Sequence, residues 1–385
     1  MRRTIVEIES KLPEVGITIF SIMSKLANDH GAINLSQGFP DFDVNPELIE
    51  RVGHYMKSGY NQYAPMQGMP VLRQKIAEKI NDLYQAAYNP ETEITITSGA
   101  TEALYAAITA VVQKDDEVII FEPAYDAYAP AVRLNGGIPK FVKLNVPGYT
   151  IDWDRVKDAL SPKTRLLILN SPHNPSGSVL RQDDMAVLHN ILADTRTLIL
   201  SDEVYEHIIF DDLQHESISR YPDLASRSFV VSSFGKTYHT TGWKIGYCLA
   251  PEVLTKEFQR VHQFLTFASN TPVQCAYADM LQQKDLYLNL SAFYQQKRDL
   301  FLSLMATSRF KPVPCSGTYF QLMQYQDISN EPDVDFSRRI TIDHGVATIP
   351  VSVFYHDQTD HHVVRFCFAK KDDTLEKAAE KLCRI

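Results

Sequence analysis

The sequence predicts an α/β fold built around a mostly parallel sheet, and two observations support this prediction. Short apolar runs rich in β-branched residues alternate along the chain with stretches of helical period, which is typical of strands joined by crossover helices. Polar clusters directly follow three of the apolar runs, at residues 170–175, 202–205 and 232–236. Ligands of open α/β sheets bind outside the carboxyl ends of the strands, so the three clusters indicate one shared site.

The element pattern predicts seven strands for one sheet and three helices that cover it. The strands are expected at residues 93–97, 117–121, 140–144, 165–170, 197–202, 229–233 and 246–250, and the helices at 101–113, 183–193 and 251–265. From about residue 286 the pattern changes to a long charged helix through Lys297 and Arg298, followed by strands at 317–320 and 363–368. This change predicts a second, smaller domain in the C-terminal part of the chain.

Bulk composition excludes several classes of function. With 385 residues and 44% hydrophobic content, the chain is long enough to bury two domains. A formal net charge of −9 argues against nucleic acid as a partner, because phosphate backbones are bound by clustered Lys and Arg. We find no signal segment and no apolar run able to span a bilayer, so neither export nor membrane insertion is expected. Five widely spaced cysteines without a Cys-x-x-Cys pair predict reduced thiols in the cytoplasm rather than disulfides or a metal site.

Several short motifs in a fixed order carry a resemblance to a known family. They include Asn-Leu-Ser-Gln-Gly-Phe-Pro-Asp-Phe at 34–42, Asn-Gln-Tyr-Ala-Pro at 61–65, Thr-Ser-Gly-Ala-Thr-Glu-Ala at 97–103 and Ser-Ser-Phe-Gly-Lys at 232–236. From about residue 33 to 365 the chain resembles the pyridoxal-phosphate-dependent aminotransferases of class I/II, and most closely their methionine and kynurenine/glutamine transaminase branch.

This resemblance implies a domain plan and an assembly. The expected fold is the fold type I PLP-dependent transferase, with a mostly parallel seven-stranded sheet in a large domain and a smaller α/β domain beside it. The large domain would span residues 45–285, and residues 286–385 would form the small domain together with an N-terminal arm, residues 1–44. The family also implies a homodimer with shared active sites.

Lys236 is the predicted covalent anchor of the cofactor, pyridoxal 5'-phosphate. A lysine amine reacts with the cofactor aldehyde only when unprotonated, so its site must disfavour the ammonium by burial or by nearby positive charge. The small residues Ser233 and Gly235 just before it permit close approach of backbone to a ligand. A lone lysine on a loop is usually a surface residue. The match to the family motif is what assigns Lys236 as anchor and as the base that moves the Cα proton.

Five other residues are expected around the cofactor phosphate. Ala100 and Thr101 open a helix whose free N–H groups would face an anion, although the same stretch also fits an ordinary cap formed by the Thr101 hydroxyl. The resemblance assigns Ser233 and Lys244 to the phosphate, with Lys244 standing where the family commonly has arginine. It assigns Tyr63 to the phosphate of the neighbouring subunit's cofactor.

Four residues are assigned to the cofactor ring by the resemblance. Asp202 would face the pyridine nitrogen and keep it protonated, so that the ring accepts the electrons released at the substrate Cα. Tyr205 and Asn174 would hydrogen-bond the phenolic oxygen, and Tyr125 would stack on the ring. From the residues alone, Asp202 could instead cap a helix, Asn174 could belong to a turn, and Tyr125 could be a core aromatic.

The resemblance assigns Arg365 as the clamp for the substrate α-carboxylate. A guanidinium offers two parallel donors to a carboxylate, and this residue lies in the apolar run 363–368. The alternative is an internal ion pair with an acidic side chain. Gly38 would bring backbone close to the same carboxylate, and Asn174 and Phe20 are the further substrate-binding candidates.

These assignments predict a ping-pong aminotransferase for neutral amino acids, with methionine or aromatic amino acids favoured. Residues 262–272 contain no Lys or Arg that could pair with a distal carboxylate, whereas Phe20, Phe39 and either Phe264 or Phe267 suit an apolar or thioether side chain. One alternative is a PLP-dependent carbon–sulfur β-lyase of the cysteine-conjugate or cystathionine type. The other is a non-catalytic aminotransferase-like binding protein.

Overall fold

A computed structural model describes residues 8–385 of the chain. The helices are α1 (Ile19–Asp29), α2 (Pro46–Lys57), α3 (Pro70–Tyr84), α4 (Ala100–Val111), α5 (Tyr128–Leu134), α6 (Trp153–Ala159), α7 (Gln182–Leu192), α8 (Pro222–Ala225), α9 (Phe234–Thr237), α10 (Glu252–Leu265), α11 (Thr271–Met280), α12 (Asp285–Leu288), α13 (Leu290–Leu304), α14 (Asp333–Asp343) and α15 (Asp372–Leu382). The strands are β1 (Ile33–Asn34), β2 (Ile94–Thr97), β3 (Glu117–Glu122), β4 (Ile138–Lys143), β5 (Thr164–Asn170), β6 (Leu198–Asp202), β7 (Ser228–Ser233), β8 (Gly246–Leu249), β9 (Lys311–Pro312), β10 (Phe320–Gln324), β11 (Val346–Ala347), β12 (Ile349–Pro350) and β13 (Val363–Cys367).

Seven strands form the large sheet in the order β2-β8-β7-β6-β5-β3-β4. Strands β4, β3, β5, β6 and β7 pair in parallel, whereas β8 is antiparallel to both of its neighbours. The predicted mostly parallel seven-stranded sheet is therefore confirmed. The predicted strand and helix bounds also hold closely, and the start of β4 moves from residue 140 to residue 138.

Two apolar cores lie on opposite faces of this sheet, and β5 shows why its sequence is continuously apolar. Leu167 and Leu169 point into one core, and Leu166 and Ile168 point into the other. Successive side chains of a strand alternate between the faces of a sheet, so a strand covered by helices on both faces is apolar throughout. This leaves the strand ends as the place where polar side chains can meet.

Helix α4 is packed closely on the sheet because its inward positions are small. Ala103, Ala106 and Ala107 are fully buried, and the helix also contacts α10 on its outer side. Alanine combines high helix propensity with little volume, so this sequence favours both the helix and its close approach to the strands.

A second, four-stranded antiparallel sheet has the order β12-β13-β10-β9. Its central strand β13 carries Arg365, which pairs with Leu322 of β10 on one side and Ile349 of β12 on the other. The small sheet therefore holds Arg365 between two neighbouring strands.

Residues 33–35 are attached to this C-terminal part. Strand β1 pairs in parallel with β11, and Leu35 hydrogen-bonds with both Ala347 and Cys367 through its backbone. The expected N-terminal arm, residues 1–44, stays a prediction, and its residues 1–7 lie outside the described residues. The domain bounds 45–285 and 286–385 remain a prediction.

The strand predicted at 317–320 is wrong in its bounds, because β10 begins only at Phe320. Thr318 has a φ of 66°, in the left-handed region that extended strands do not use. Gly317 is also closely surrounded, and a Cβ there would lie 2.7 Å from the Pro172 side chain and 2.9 Å from the Ile208 carbonyl oxygen. The chain therefore turns at 317–319, and this turn places Tyr319 beside Lys236.

Within residues 8–385, we find no helix with the length and apolar character needed to cross a membrane.

Candidate active site

The carboxyl ends of neighbouring strands meet at one edge of the large sheet. Asn170 pairs with Asp202 in the sheet register, and β7, next to β6, ends at Ser233. Gly246 pairs with Ser233 on one side and with Thr97 on the other, which places the start of α4 beside the end of β7. The three polar clusters in the sequence therefore lie side by side, as predicted.

A cavity of about 300 Å³ lies at this edge, with residues of both sheets in its wall. Among the predicted site residues, the following line it: Phe20, Gly38, Ala100, Thr101, Tyr125, Asn174, Asp202, Tyr205, Ser233, Lys236, Lys244 and Arg365. Tyr63 lies outside, where its side chain is 85% exposed and its ring packs edge-on against Phe267 with centroids 5.4 Å apart.

Lys236 lies in the one-turn helix α9 that directly follows β7. Ser233 caps this helix through its hydroxyl, which accepts from the Gly235 backbone N–H at 3.2 Å. The Lys236 amine donates to the Tyr319 hydroxyl oxygen at 2.7 Å and to the Gly38 carbonyl oxygen at 3.3 Å. The turn thus directs the amine toward the N-terminal segment and the Tyr319 turn.

The surroundings of Lys236 favour the neutral amine. Burial lowers the pKa of Lys236 to about 8, and the nearby positive charges of Arg365 and Lys244 act in the same direction. No carboxylate lies within ion-pair distance of the Lys236 amine among residues 8–385. The structure therefore meets the condition predicted for a reactive lysine, because burial and nearby positive charge both disfavour the ammonium form of Lys236.

The start of α4 and Lys244 form one end of the cavity. The N-cap of α4 is Gly99, with a φ of 78° and no side-chain cap, so Thr101 does not fill the capping role considered for it. Lys244, also in a left-handed conformation, lies so close that a Cβ on Gly99 would be 3.2 Å from its Nζ. Free N–H groups of a helix start beside an ammonium make an anion-binding end.

Asp202 is a buried carboxylate at the floor of the cavity. Its Oδ2 accepts from the Tyr128 hydroxyl at 2.6 Å, and its Oδ1 accepts from the Val204 N–H at 3.3 Å. Burial raises the pKa of Asp202 to about 6, while these two hydrogen bonds oppose the rise. The side chain caps no helix, so the structure favours its role in the cavity over the capping alternative.

Arg365 is nearly fully buried on the opposite side of the cavity. Its Nη1 donates to the Asn174 side-chain oxygen at 2.8 Å, and its Nη2 donates to the Ser36 carbonyl oxygen at 3.1 Å. The guanidinium lies 3.8 Å from the Phe320 ring centroid and 5.3 Å from that of Phe20. Burial lowers the pKa of Arg365 to about 10. The internal ion pair considered above is not found among residues 8–385.

The aromatic side chains predicted near the substrate do not all lie at the cavity. Phe20 and Phe39 line it, together with Phe320. Phe264 and Phe267 do not, and their side chains are 87% and 49% exposed. Within a single chain, therefore, neither Phe264 nor Phe267 can contact a substrate in this cavity.

Three polar residues with contacts in the site had no individual role assigned from the sequence, although Asn170 belongs to the predicted cluster 170–175. Tyr128 donates to Asp202, Tyr319 accepts from Lys236, and the Asn170 side chain accepts from the Asn174 backbone N–H at 2.8 Å. Asn170 ends a predicted strand, which was a usable signal. Tyr128 and Tyr319 resemble core aromatics in the sequence, so nothing local distinguished them.

The cavity suits an aromatic phosphate ester with a basic ring nitrogen. Its charged lining residues are Lys236, Lys244, Arg365 and Asp202 within the described part of the chain. The helix start with Lys244 matches a phosphate, and the buried Asp202 matches a protonated ring nitrogen. The Arg365 Nε has no hydrogen-bond partner among the described residues, so this guanidinium retains donor capacity for an incoming carboxylate.

Comparison with known proteins agrees with this geometry. The model of the family "Aminotransferase class I and II" matches residues 30–382. The methionine aminotransferase of Escherichia coli strain K12 is 52% identical over 378 residues, which cover 98% of each chain. The kynurenine–oxoglutarate transaminase of Dictyostelium discoideum is 33% identical, covering 96% of this chain and 94% of that protein.

A solved structure shows that the likeness extends to the whole fold. It is an Escherichia coli protein for which a methionine aminotransferase function was identified, and it is 51% identical with a TM-score of 0.97 over 99% of this chain and 100% of that chain. The chain therefore belongs to the class I and II aminotransferases, whose cofactor is pyridoxal phosphate.

Proposed function

We propose that this aminotransferase moves the amino group of methionine, and of aromatic amino acids, to a neutral 2-oxo acid in a ping-pong reaction. The observation that carries this proposal is the charge inventory of the cavity, in which Lys244 and Arg365 are the cations available for anions and Lys236 is the reactive amine. The similarity to a methionine aminotransferase over nearly the whole chain supports the same substrate class.

The charge inventory limits the side chain of the substrate. A phosphate at the start of α4 would occupy Lys244, and an α-carboxylate would occupy Arg365. No other cation lines the cavity within residues 8–385, so a distal carboxylate would be buried without a partner. The apolar walls formed by Phe20, Phe39 and Phe320 instead favour a thioether or an aromatic ring.

Pyridoxal phosphate would be held by the residues predicted for it. Ala100, Thr101, Ser233 and Lys244 would bind the phosphate, Asp202 would face the ring nitrogen, and Tyr125, Tyr205 and Asn174 would contact the ring. When bound, the cofactor supplies an aldehyde that bonds an amine and a ring that accepts an electron pair.

The residues of the chain would then perform four tasks. Arg365 and Asn174 orient the α-carboxylate, and the aromatic walls exclude water from the substrate side chain. Lys236, freed by the incoming amino acid, would take the proton from the substrate Cα and later deliver a proton to the cofactor carbon bonded to the substrate nitrogen, two bonds from Cα. Asp202 in its ionised form holds a proton on the ring nitrogen.

We propose a homodimer as the active form, with the cytoplasm as its compartment. Tyr63, Phe264 and Phe267 are large, exposed and close to one another in the sequence or in space, as expected of a surface that a second copy covers. In such a dimer Tyr63 would reach the cofactor phosphate of the partner, in line with the family resemblance. All five cysteines are unpaired thiols, which is compatible with a reducing compartment.

The test is an amino-transfer assay with purified protein and two lysine variants. Lys236→Ala should lose roughly 10³-fold or more in rate, because both the anchor and the base are removed. Lys256→Ala, at an exposed lysine on α10, is the matched control and should keep the wild-type rate. Methionine and phenylalanine should be donors, and glutamate should be poor.

Three results would contradict the proposal. The first is an unchanged rate in Lys236→Ala, and the second is a clear preference for glutamate. The third is release of pyruvate and ammonia from an S-substituted cysteine without formation of a new amino acid, which would assign the β-lyase reaction instead.

A further inference from the structure

The hydroxyl of Tyr319 is the nearest side-chain neighbour that hydrogen-bonds the Lys236 amine. The nitrogen and oxygen are 2.7 Å apart, and the same hydroxyl donates to the Gly38 carbonyl oxygen at 2.5 Å. The amine also lies 3.3 Å from that carbonyl oxygen. Lys236, Tyr319 and Gly38 therefore form a closed triangle of hydrogen bonds.

Counting hydrogens settles the direction of each bond in this triangle. A tyrosine hydroxyl has one hydrogen, and Tyr319 directs it to Gly38, so its oxygen can only accept from Lys236. A carbonyl oxygen accepts only, so the amine is also the donor toward Gly38. A neutral amine has two N–H groups and one lone pair, and both N–H groups are used. The lone pair is left pointing away from Tyr319 and Gly38.

Tyr319 keeps its hydrogen throughout the working pH range. The residue is fully buried. Its ring packs edge-on against the ring of Tyr205, with centroids 5.2 Å apart, and the ring centroid of Tyr294 lies 5.7 Å away. Burial raises the pKa of Tyr319 well above its usual value of 10. The hydroxyl therefore remains a donor to Gly38 and an acceptor for Lys236.

The segment that carries Gly38 also contacts the carboxylate clamp. Arg365 donates to the carbonyl oxygen of Ser36, two residues before Gly38, and Gln37 between them donates to the Phe20 carbonyl oxygen at 3.0 Å. The backbone of 36–38 thus links the guanidinium that would bind substrate to the amine that would take its proton.

We propose that Tyr319 is the positioning residue for the catalytic amine, because with the Gly38 carbonyl it occupies both N–H groups of Lys236 and leaves the lone pair facing the substrate Cα. The proposal rests on the proposed transamination. The free amine is the covalent form of Lys236 whenever the substrate has displaced it from the cofactor. The proton that leaves Cα becomes the third N–H of Lys236, and the electron pair of the broken C–H bond stays on the substrate side. Returning that proton restores the neutral amine and its two bonds.

The decisive variant is Tyr319→Phe, with Tyr294→Phe as its matched control. The Tyr294 hydroxyl is also buried and has no hydrogen-bond partner among residues 8–385, and its ring lies next to that of Tyr319. Both variants keep the ring and lose one buried hydroxyl. Only Tyr319→Phe removes a contact of Lys236.

Two measurements are made on each protein. In the cofactor-free full chain, the pH dependence of acetylation at Lys236 is followed by peptide mass analysis. In the cofactor-loaded enzyme, the half-reaction with methionine alone is followed by the change in visible absorption, with ordinary and α-deuterated methionine.

The expected result is a change in both measurements for Tyr319→Phe. The acetylation midpoint should move to lower pH, because the ammonium loses an acceptor. The half-reaction should slow by roughly tenfold or more with a larger deuterium isotope effect, while the methionine concentration for half-maximal rate stays within about twofold. Tyr294→Phe should match the wild type in both.

The proposal is overturned if Tyr319→Phe keeps the wild-type half-reaction rate or the wild-type acetylation midpoint. It is also overturned if the half-reaction rate of Tyr294→Phe falls as much as that of Tyr319→Phe. The acetylation measurement needs no substrate, so it decides on the contact itself even if the wild type fails to turn over methionine. A wild type that does not turn over methionine would contradict the proposed function, whereas the acetylation result would still decide whether Tyr319 positions Lys236.

Discussion

The Nη1 of Arg365 donates to the side-chain oxygen of Asn174 at 2.8 Å, a contact between residues 191 positions apart. Asn174 belongs to the loop after β5 of the large sheet, and Arg365 lies on β13 of the small sheet. The contact fixes the orientation of the guanidinium through a residue of the large sheet's loop. Because orientation is set in advance, less conformational freedom is lost when a carboxylate binds.

Replacing Arg365 with lysine should weaken substrate binding more than catalysis. Lysine keeps a positive charge but loses the second donor and the contact with Asn174, so KM for methionine should rise roughly 10- to 100-fold. Arg260→Lys, at an exposed position on α10, is the control and should leave KM unchanged. Steady-state kinetics with methionine and a neutral 2-oxo acid check this, and an unaltered KM in Arg365→Lys would refute the clamp.

Gly38→Ala should disturb the same region through a steric contact. A Cβ at this position would lie 2.7 Å from the Phe320 ring, which itself stacks on Arg365. We expect a higher KM together with a lower thermal midpoint, since the ring must shift. Gly53→Ala, in helix α2 with open space around its Cβ, should be neutral or slightly stabilising. Equal behaviour of the two variants would contradict this steric account.

Lys244→Gln should lower the affinity for the cofactor. The ammonium lies against the start of α4, and glutamine keeps a donor there while removing the charge. The Kd for pyridoxal phosphate should rise roughly tenfold and become less sensitive to salt. Absorption titration of the cofactor-free protein measures this, with Lys256→Gln as the control. A Kd that stays at the wild-type value at low salt would argue against a phosphate at this end.

Asp202→Asn should stabilise the cofactor-free protein above pH 6 while it impairs catalysis. The pKa of Asp202 is about 6 in the folded chain and near 4 when unfolded, so the folded state holds a proton that the unfolded chain has released. The contribution of this group to stability is present below pH 4 and is lost as pH rises to 6. Asparagine does not titrate, so at pH 8 the free energy of unfolding of Asp202→Asn should exceed that of the wild type by about 2 to 3 kcal/mol.

Thermal unfolding of cofactor-free Asp202→Asn and wild type at pH 4 and pH 8 checks this sign. The exposed Asp373→Asn serves as control, because its side chain is 83% exposed. A variant that is less stable than the wild type at pH 8 would show that burial does not raise the pKa of Asp202.

Phe264→Glu should weaken self-association. The side chain is 87% exposed on α10, and a second copy would have to bury it. A buried unpaired carboxylate is costly, so we expect sedimentation to shift from dimer toward monomer with a loss of activity. Ile342→Glu, at another exposed apolar position on α14, is the control. If Phe264→Glu sediments as the wild type does, the dimer surface lies elsewhere.

Much of the fold followed from local patterns. The polar clusters at 170–175, 202–205 and 232–236 correctly placed three strand ends, because a buried parallel strand is apolar until it leaves the sheet. The start of β10 was misplaced at residue 317, because the point where the strand begins depends on the left-handed conformation of Thr318 and on the space that Pro172 occupies beside Gly317. No period in the sequence encodes either of these.

The sequence by itself determined the α/β class, the order of the strands along the chain, the family, and twelve residues that line one cavity. Those features depend on apolar periodicity and on short motifs, which are local properties. Only the tertiary structure decided which side chains touch: Tyr319 meets Lys236 across 83 positions, and Tyr128 meets Asp202 across 74. A buried tyrosine that fills a core and one that holds a catalytic amine have the same sequence signature, because the difference lies in where a single hydroxyl points.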